Sequence, residues 1–231
     1  MAADPEESTT GSPLAGTAPP TPEKAAGTSR GRDPGGLTKQ GLRTRRQLLR
    51  GAKRAFEKQG YHRTRVADIT TAARTAVGSF YTYFDSKEEV FHLLLVELEN
   101  EVFDEPTRLP RDAAPYDRLR DTNRLYFEAF RRNAAFWAVV EEAAMRDEKA
   151  RLVLTSRHQN SRERTESAFR IWQEQGIIPA HVDIAFCATA LGAMTERCAF
   201  LWFVLGEPFD FDEGVERVTA FWAQALQIPP A

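Results

Sequence analysis

Ser79, Tyr81, Thr82 and Tyr83 crowd hydroxyl groups into a short stretch that also holds Val77 and Gly78, and Arg65, Arg74 and Lys87 flank it. Hydroxyls donate and accept hydrogen bonds, guanidinium and ammonium groups pair with oxyanions, and a glycine lets another surface approach the backbone closely. The chemistry this suits is the binding of a polyanion. Nucleophilic attack would need a base set beside a hydroxyl, and the stretch contains no histidine.

Helices must present these groups. Val66, Ile69 and Ala73 recur at helical spacing behind Thr64, which is expected to act as N-cap. Arg74 to Ala76 breaks the pattern. A second short helix, from about Val77 to Phe84, puts Phe80 and Phe84 four residues apart on the side that must bury and leaves Ser79, Tyr81, Thr82 and Tyr83 free. It starts either from Ala76 or, one residue earlier, from Thr75. Ser86 and Glu89 have the spacing of a capping box for a third helix, with Val90, Phe91, Leu94, Leu95 and Leu98 as its buried stripe. Two short helices leaning on a long one form a helix-turn-helix.

Charge is distributed to match. Residues 39–87 hold 12 Lys or Arg against 3 Asp or Glu, whereas residues 88–231 hold 16 against 25, so a net charge of −2 conceals a basic head on an acidic body. Such a body repels a duplex while the head attracts it, which orients the approach. Arg43, Arg45 and Arg46 stand where the chain enters the head, near the start of a helix expected over 43–59, and are candidates for phosphate contact. Gly60 is that helix's natural stop. Lys53 and Lys58 read as a solvated face.

The run from Ala73 to Phe84 with Ser86 and Lys87 resembles the Tyr-x-Tyr-Phe-x-Ser-Lys ending of the DNA-binding domain of the TetR (tetracycline repressor) family of bacterial regulators, and the match covers roughly 43–90. Arg74 stands where the family usually has Gly, and Ala76 where it has Ser or Thr. Carried across residue by residue, the resemblance implies base contacts from Val77, Gly78 and Ser79, phosphate contacts from Tyr81, Tyr83 and Lys87, and a backbone contact from Thr64 or Arg65. Thr82 and Arg74 complete the expected surface. Val77 and Ser79 read bases weakly, so discrimination could come from Arg65, Arg74 or DNA shape.

The expected fold is all-α: a three-helix helix-turn-helix domain over 37–90, joined by a long helix to a helical body over 91–231, after a Pro-, Gly- and Ser-rich tail over 1–36 expected to be disordered. The long helix should end near Pro106. Further helices are expected over about 116–132, 134–145, 148–175, 183–205 and 212–226. The resemblance implies that the body binds a small effector and dimerises. Candidate pocket residues are Phe127, Phe130, Trp137, Glu141, Phe169, Trp172, Phe186, Met194 and Arg197. Leu201, Trp202, Leu205, Val218, Phe221 and Trp222 carry more apolar surface than one helix face needs, and would bury it as a four-helix bundle with a second chain.

Other classes find little support. The four histidines lie far apart with no metal-ligand spacing, no nucleophile elbow or phosphate loop is present, and no cofactor is expected. Two cysteines give no disulfide framework and suggest a reducing compartment. The apolar run 184–205 is interrupted by Glu196 and Arg197 and reads as a buried helix of a soluble, cytoplasmic protein, not a membrane span. The reading is therefore a homodimeric repressor released from a palindromic operator by an apolar or amphipathic ligand. The alternative is an activator, or a ligand-independent DNA-binding protein of weak sequence preference.

Overall fold

Thr38 begins the architecture. Its hydroxyl accepts the Gly41 N–H at 3.1 Å, so the first helix starts at Lys39, four residues before the expected point, and Arg43, Arg45 and Arg46 lie within it. The computed structural model describes residues 36–103, 109–110 and 112–229. The tail through residue 35 and the end of the long helix near Pro106 lie outside the described residues. These contain nine helices and no strand: α1 (Lys39–Gln59), α2 (Val66–Ala73), α3 (Val77–Tyr83), α4 (Lys87–Phe103), α5 (Pro115–Arg132), α6 (Ala134–Ala144), α7 (Glu148–Glu174), α8 (Ile184–Phe203) and α9 (Phe211–Ala225). The all-α expectation holds.

The head is built on α1, whose Leu48, Leu49, Ala52, Ala55 and Phe56 are buried. Gly60 ends it at φ +82°, a left-handed value that glycine adopts without strain, and a Cβ there would meet the Glu142 carboxylate of α6 at 2.7 Å. Where α2 crosses α1, a Cβ on Gly51 would lie 2.7 Å from that of Ala73 and 2.8 Å from its backbone nitrogen. The crossing is close because position 51 has no side chain.

Head and body lie within one unit spanning Gly31–Ala231. Tyr61 and Phe91 bring their ring centroids to 4.4 Å, and Phe91 meets Phe136 of α6 at 5.8 Å. The Lys53 ammonium, expected in solvent, instead donates to Asn133 Oδ1 at the α5–α6 junction. Within the body, buried polar groups bridge helices: Asn123 of α5 to Thr219 of α9 at 3.2 Å, and the Trp222 indole of α9 to Thr195 of α8 at 2.9 Å. Arg157 of α7, only 5% exposed, pairs with Glu196 of α8 at 2.9 Å, and His158 reaches the same carboxylate at 3.0 Å.

Burial alone would raise the Glu196 pKa, but the His158 hydrogen bond and the Arg157 charge outweigh it and hold the carboxyl at about 2 against an ordinary 4.5. A carboxyl depressed on folding stabilises the protein above its unfolded pKa and loses that contribution as pH falls through the folded one. Glu196→Gln should therefore cost about 2–3 kcal/mol at neutral pH. In denaturation across pH, the difference from the parent should shrink between about 4.5 and 2. A difference constant over that range would mean that the pair is not the source. At the α1–α2 crossing, Gly51→Ala should cost about 1–3 kcal/mol of overpacking, more than the roughly 1 kcal/mol helix-propensity gain. A higher urea midpoint for this variant would refute the tight crossing.

Candidate nucleic-acid interface

The three residues between α2 and α3 set the angle at which the second short helix leaves the first. Arg74 closes α2 in the left-handed region, φ 57° and ψ 45°, and its N–H caps the carbonyls of Thr70 and Thr71. Outside glycine that conformation costs about 1–2 kcal/mol, a strain the crossing sustains. Ala76 is the N-cap of α3 and offers no side chain to it.

On α3, Phe80 and Phe84 are the anchors, 0% and 1% exposed with ring centroids 5.6 Å apart. The opposite face is open. Tyr81 is 61% exposed and Val77 48%, Thr82 is exposed, and nothing lies within 4 Å of where a Gly78 Cβ would stand. Ser79 and Tyr83 are half-buried at the edges of that face, Tyr83 packed against the core. The helix is thus divided between a sealed side and a presented side, with Ser79 and Tyr83, both expected free, at the border.

Cationic groups surround it. Arg43 and Arg46 are exposed on the first turns of α1, and the Arg45 guanidinium lies over the Phe84 ring at 5.2 Å. Arg65 is exposed at the start of α2, where its backbone N–H donates to Asp68 Oδ2 at 2.8 Å. That hydrogen bond is the main cause of the lowered Asp68 pKa. Two shallow grooves border the motif: one is lined by Gln47, Arg50, Arg54 and the Ala72–Arg74 turn, the other by His62, Arg63, Thr64, Arg65, Asp68 and Lys87. Arg50, His62 and Arg63 were not foreseen as part of this surface. The positive balance of the segment was the available signal, but it does not say which basic residues converge.

Two expected contacts are corrected. Thr64 is 1% exposed, and its hydroxyl donates to the carbonyl of Gly60 at 2.7 Å, so it is neither the N-cap of α2 nor available to DNA. The chain folds back at Gly60 and turns the hydroxyl inward; Arg65 is the cap. The Lys87 ammonium donates to the carbonyls of Tyr61 at 3.0 Å and Thr64 at 2.9 Å, reaches that of His62 at 3.4 Å, and lies over the Tyr61 ring. Its three donors hold the Tyr61–Thr64 loop together, which removes it from the free phosphate-binding groups.

In the body, Phe127, Phe130, Trp137 and Phe169 are buried, with Trp172 and Met194 half-buried at their margin. Phe186, 67% exposed, and the exposed Glu141 and Arg197 face outward and line no interior site, because the turn of their helices puts them opposite the core. Of the residues expected at a second chain, Phe221 and Leu205 are 61% and 58% exposed, and Leu201 is half-buried. Val218 and Trp222 are 5% and 7% exposed inside this chain, and half-buried Trp202 stacks on Phe209 at 4.3 Å. These three serve the chain's own packing. The burial expected of the apolar run 184–205 holds along one side of α8 only, at Ile184, Ala188, Leu191, Thr195 and Ala199.

Residues 48–94 match the profile described as bacterial regulatory proteins, tetR family. The chain is 25% identical over 202 residues to the probable HTH-type transcriptional regulator ArpR of Pseudomonas putida, covering 81% of this chain and 93% of that one. Its fold matches GusR of Salmonella enterica with a TM-score of 0.68 at 22% identity, covering 83% and 98% of the two chains. It also matches the fatty acid degradation regulator FadR of Bacillus halodurans, with a TM-score of 0.65 at 17% identity over 80% and 97%. With a helix-turn-helix that presents one open face among exposed arginines, residues 48–94 are a DNA-binding domain of the tetR type, and the chain as a whole is similar in sequence and fold to transcriptional regulators that carry it.

Proposed function

We propose that the protein is a homodimeric repressor, acting in the cytoplasm, that leaves a palindromic operator when a small apolar or amphipathic ligand enters its body. The observation that carries this reading is the division of α3: two buried phenylalanines fix it to the head while Val77, Gly78, Tyr81 and Thr82 face outward. A helix of this size enters the major groove, with its N-terminal residues nearest the base edges. Val77 and Gly78 would approach the bases from there, with Ser79 beside them. Tyr81, Thr82 and Tyr83 would hold phosphates together with Arg43, Arg46, Arg65 and Arg74. Arg45 would join them only by leaving the Phe84 ring.

A second copy fits the exposed apolar side of α8 and α9. Phe186 on the first turn of α8, Leu205 just past its end and Phe221 on α9 leave large hydrophobic groups in water unless a partner covers them. One recognition helix reads few base pairs, and two held about 34 Å apart read both halves of a palindrome. Control by ligand is supported by α6, which touches both ends of the molecule. Asn133, just before α6, and Phe136 on it meet Lys53 of the head, and Trp137, the next residue, lies inside the body. A ligand that favours one position of α6 over another would shift the tilt of the heads by its differential affinity. A second reading draws on the weak readers Val77 and Ser79: an activator, or a ligand-independent protein that coats DNA with little sequence preference.

Footprinting against genomic fragments separates the two. A discrete two-fold footprint supports the repressor, and uniform coverage with a steep salt slope supports the alternative. Tyr81→Ala should weaken binding to every sequence with the salt slope unchanged if its neutral hydroxyl holds a phosphate, whereas Ser79→Ala should change preference at one position of each half-site. Unchanged affinity in both would refute the groove assignment. Phe221→Glu should convert the dimer to a monomer at micromolar concentration in analytical ultracentrifugation and abolish the paired footprint, and a monomeric parent protein would remove the dimer from the proposal.

A further inference from the structure

Two buried indoles in the body are treated differently. Trp222 donates its N–H to Thr195 at 2.9 Å, as a tryptophan that only builds core should. Trp137 is 2% exposed and its N–H meets no acceptor among the described residues. Its ring stacks on Phe130 of α5, with centroids 5.3 Å apart and planes 11° from parallel, and the Arg157 guanidinium of α7 lies 4.0 Å from its centre. Arg157 is balanced by Glu196 of α8. An unpaired donor, flat apolar surfaces and a neutralised charge pair therefore meet at the junction of four helices.

We infer that the Trp137 indole N–H is the recognition donor for an uncharged, ring-bearing ligand with an oxygen acceptor of the ketone, ester or amide class, inserted beside α6. This rests on the proposed ligand-binding role of the body. The acceptor satisfies the N–H, and the ring lies against the aromatic faces around it. An anion is disfavoured, because Arg157 already has its counter-charge and a second carboxylate beside Glu196 would meet like charge in a largely desolvated place.

Calorimetric titration of the full-length protein with three probes of one size tests this: 2-acetylnaphthalene, 2-ethylnaphthalene and 2-naphthoate. The ketone should bind about 5- to 10-fold more tightly than the hydrocarbon, the net worth of one hydrogen bond, and the carboxylate more weakly than either. Trp137→Phe should abolish the ketone's advantage over the hydrocarbon, while the affinity common to both probes is free to fall with the smaller ring. In heteronuclear NMR, the indole N–H resonance missing from that variant should move when the parent protein binds the ketone and stay when it binds the hydrocarbon; if the variant does not fold, selective loss of resonances in single substitutions of the other tryptophans assigns it. Equal binding of ketone and hydrocarbon would overturn the donor role while leaving a ligand-binding body. Tightest binding by 2-naphthoate would overturn the selection against charge. A ketone advantage that survives Trp137→Phe, or an unmoved resonance, would also overturn the proposal. If none of the probes binds, the proposal falls, and the reading it rests on is decided separately by whether any other compound releases the operator fragment.

Discussion

Four rings join the DNA-binding head to the body: Phe56 and Tyr61 of the head, Phe91 on α4 and Phe136 on α6. Phe56 meets Tyr61 at 5.7 Å and Phe91 at 5.4 Å, and Phe91 sits between Tyr61 and Phe136. Each such contact contributes about 0.5–1.5 kcal/mol beyond the area it buries. Their larger effect is geometric, since interlocked rings have few alternative arrangements. Lys87 closes the seam from outside by tying down the loop that carries Tyr61. The direction in which the open face of α3 points relative to the body is set here, and the turn at Arg74 only adjusts it.

What could be read from the sequence was what local chemistry decides. The periods of Val66, Ile69 and Ala73 and of Phe80 and Phe84, the Ser86–Glu89 cap and the stop at Gly60 each act within a turn or two of chain, and the helices stand close to where these signals place them. The Glu89 N–H donates to Ser86 Oγ at 3.2 Å, while the Glu89 carboxylate accepts from Asp85, one residue beyond the expected box. Long side chains were less legible. Lys53 ends at Asn133, 80 residues away, and Lys87 ends at a loop more than 20 residues before it. Nothing near either lysine in sequence announces its carbonyl partners. Thr64 misled for the same reason, since a threonine before an apolar period looks like a cap until the fold turns it inward. On α9, period alone could not say that Trp222 faces Thr195 while Phe221, its neighbour, faces water.

The body's buried polar contacts have a common form: each runs between two helices and fixes how one slides along the other. Asn123 with Thr219, Trp222 with Thr195, and Arg157 with Glu196 act in this way. Satisfied groups of this kind specify one arrangement more than they add stability. The acid–base pair is the costliest of them, and its carboxyl stays ionised at a depth where burial alone would raise its pKa.

Gly60 carries a final consequence. Its φ of +82° turns the chain back at the end of α1, and a side chain there would strain that turn, while the exposed Glu142 carboxylate beside it can swing aside. In the proposed two-fold assembly a strained turn would act twice, once on each side, and the lever from position 60 to the tip of α3 would enlarge the error before it reached the duplex. The pitch between the two reading heads of that dimer would thus depend in part on one backbone turn far from any base.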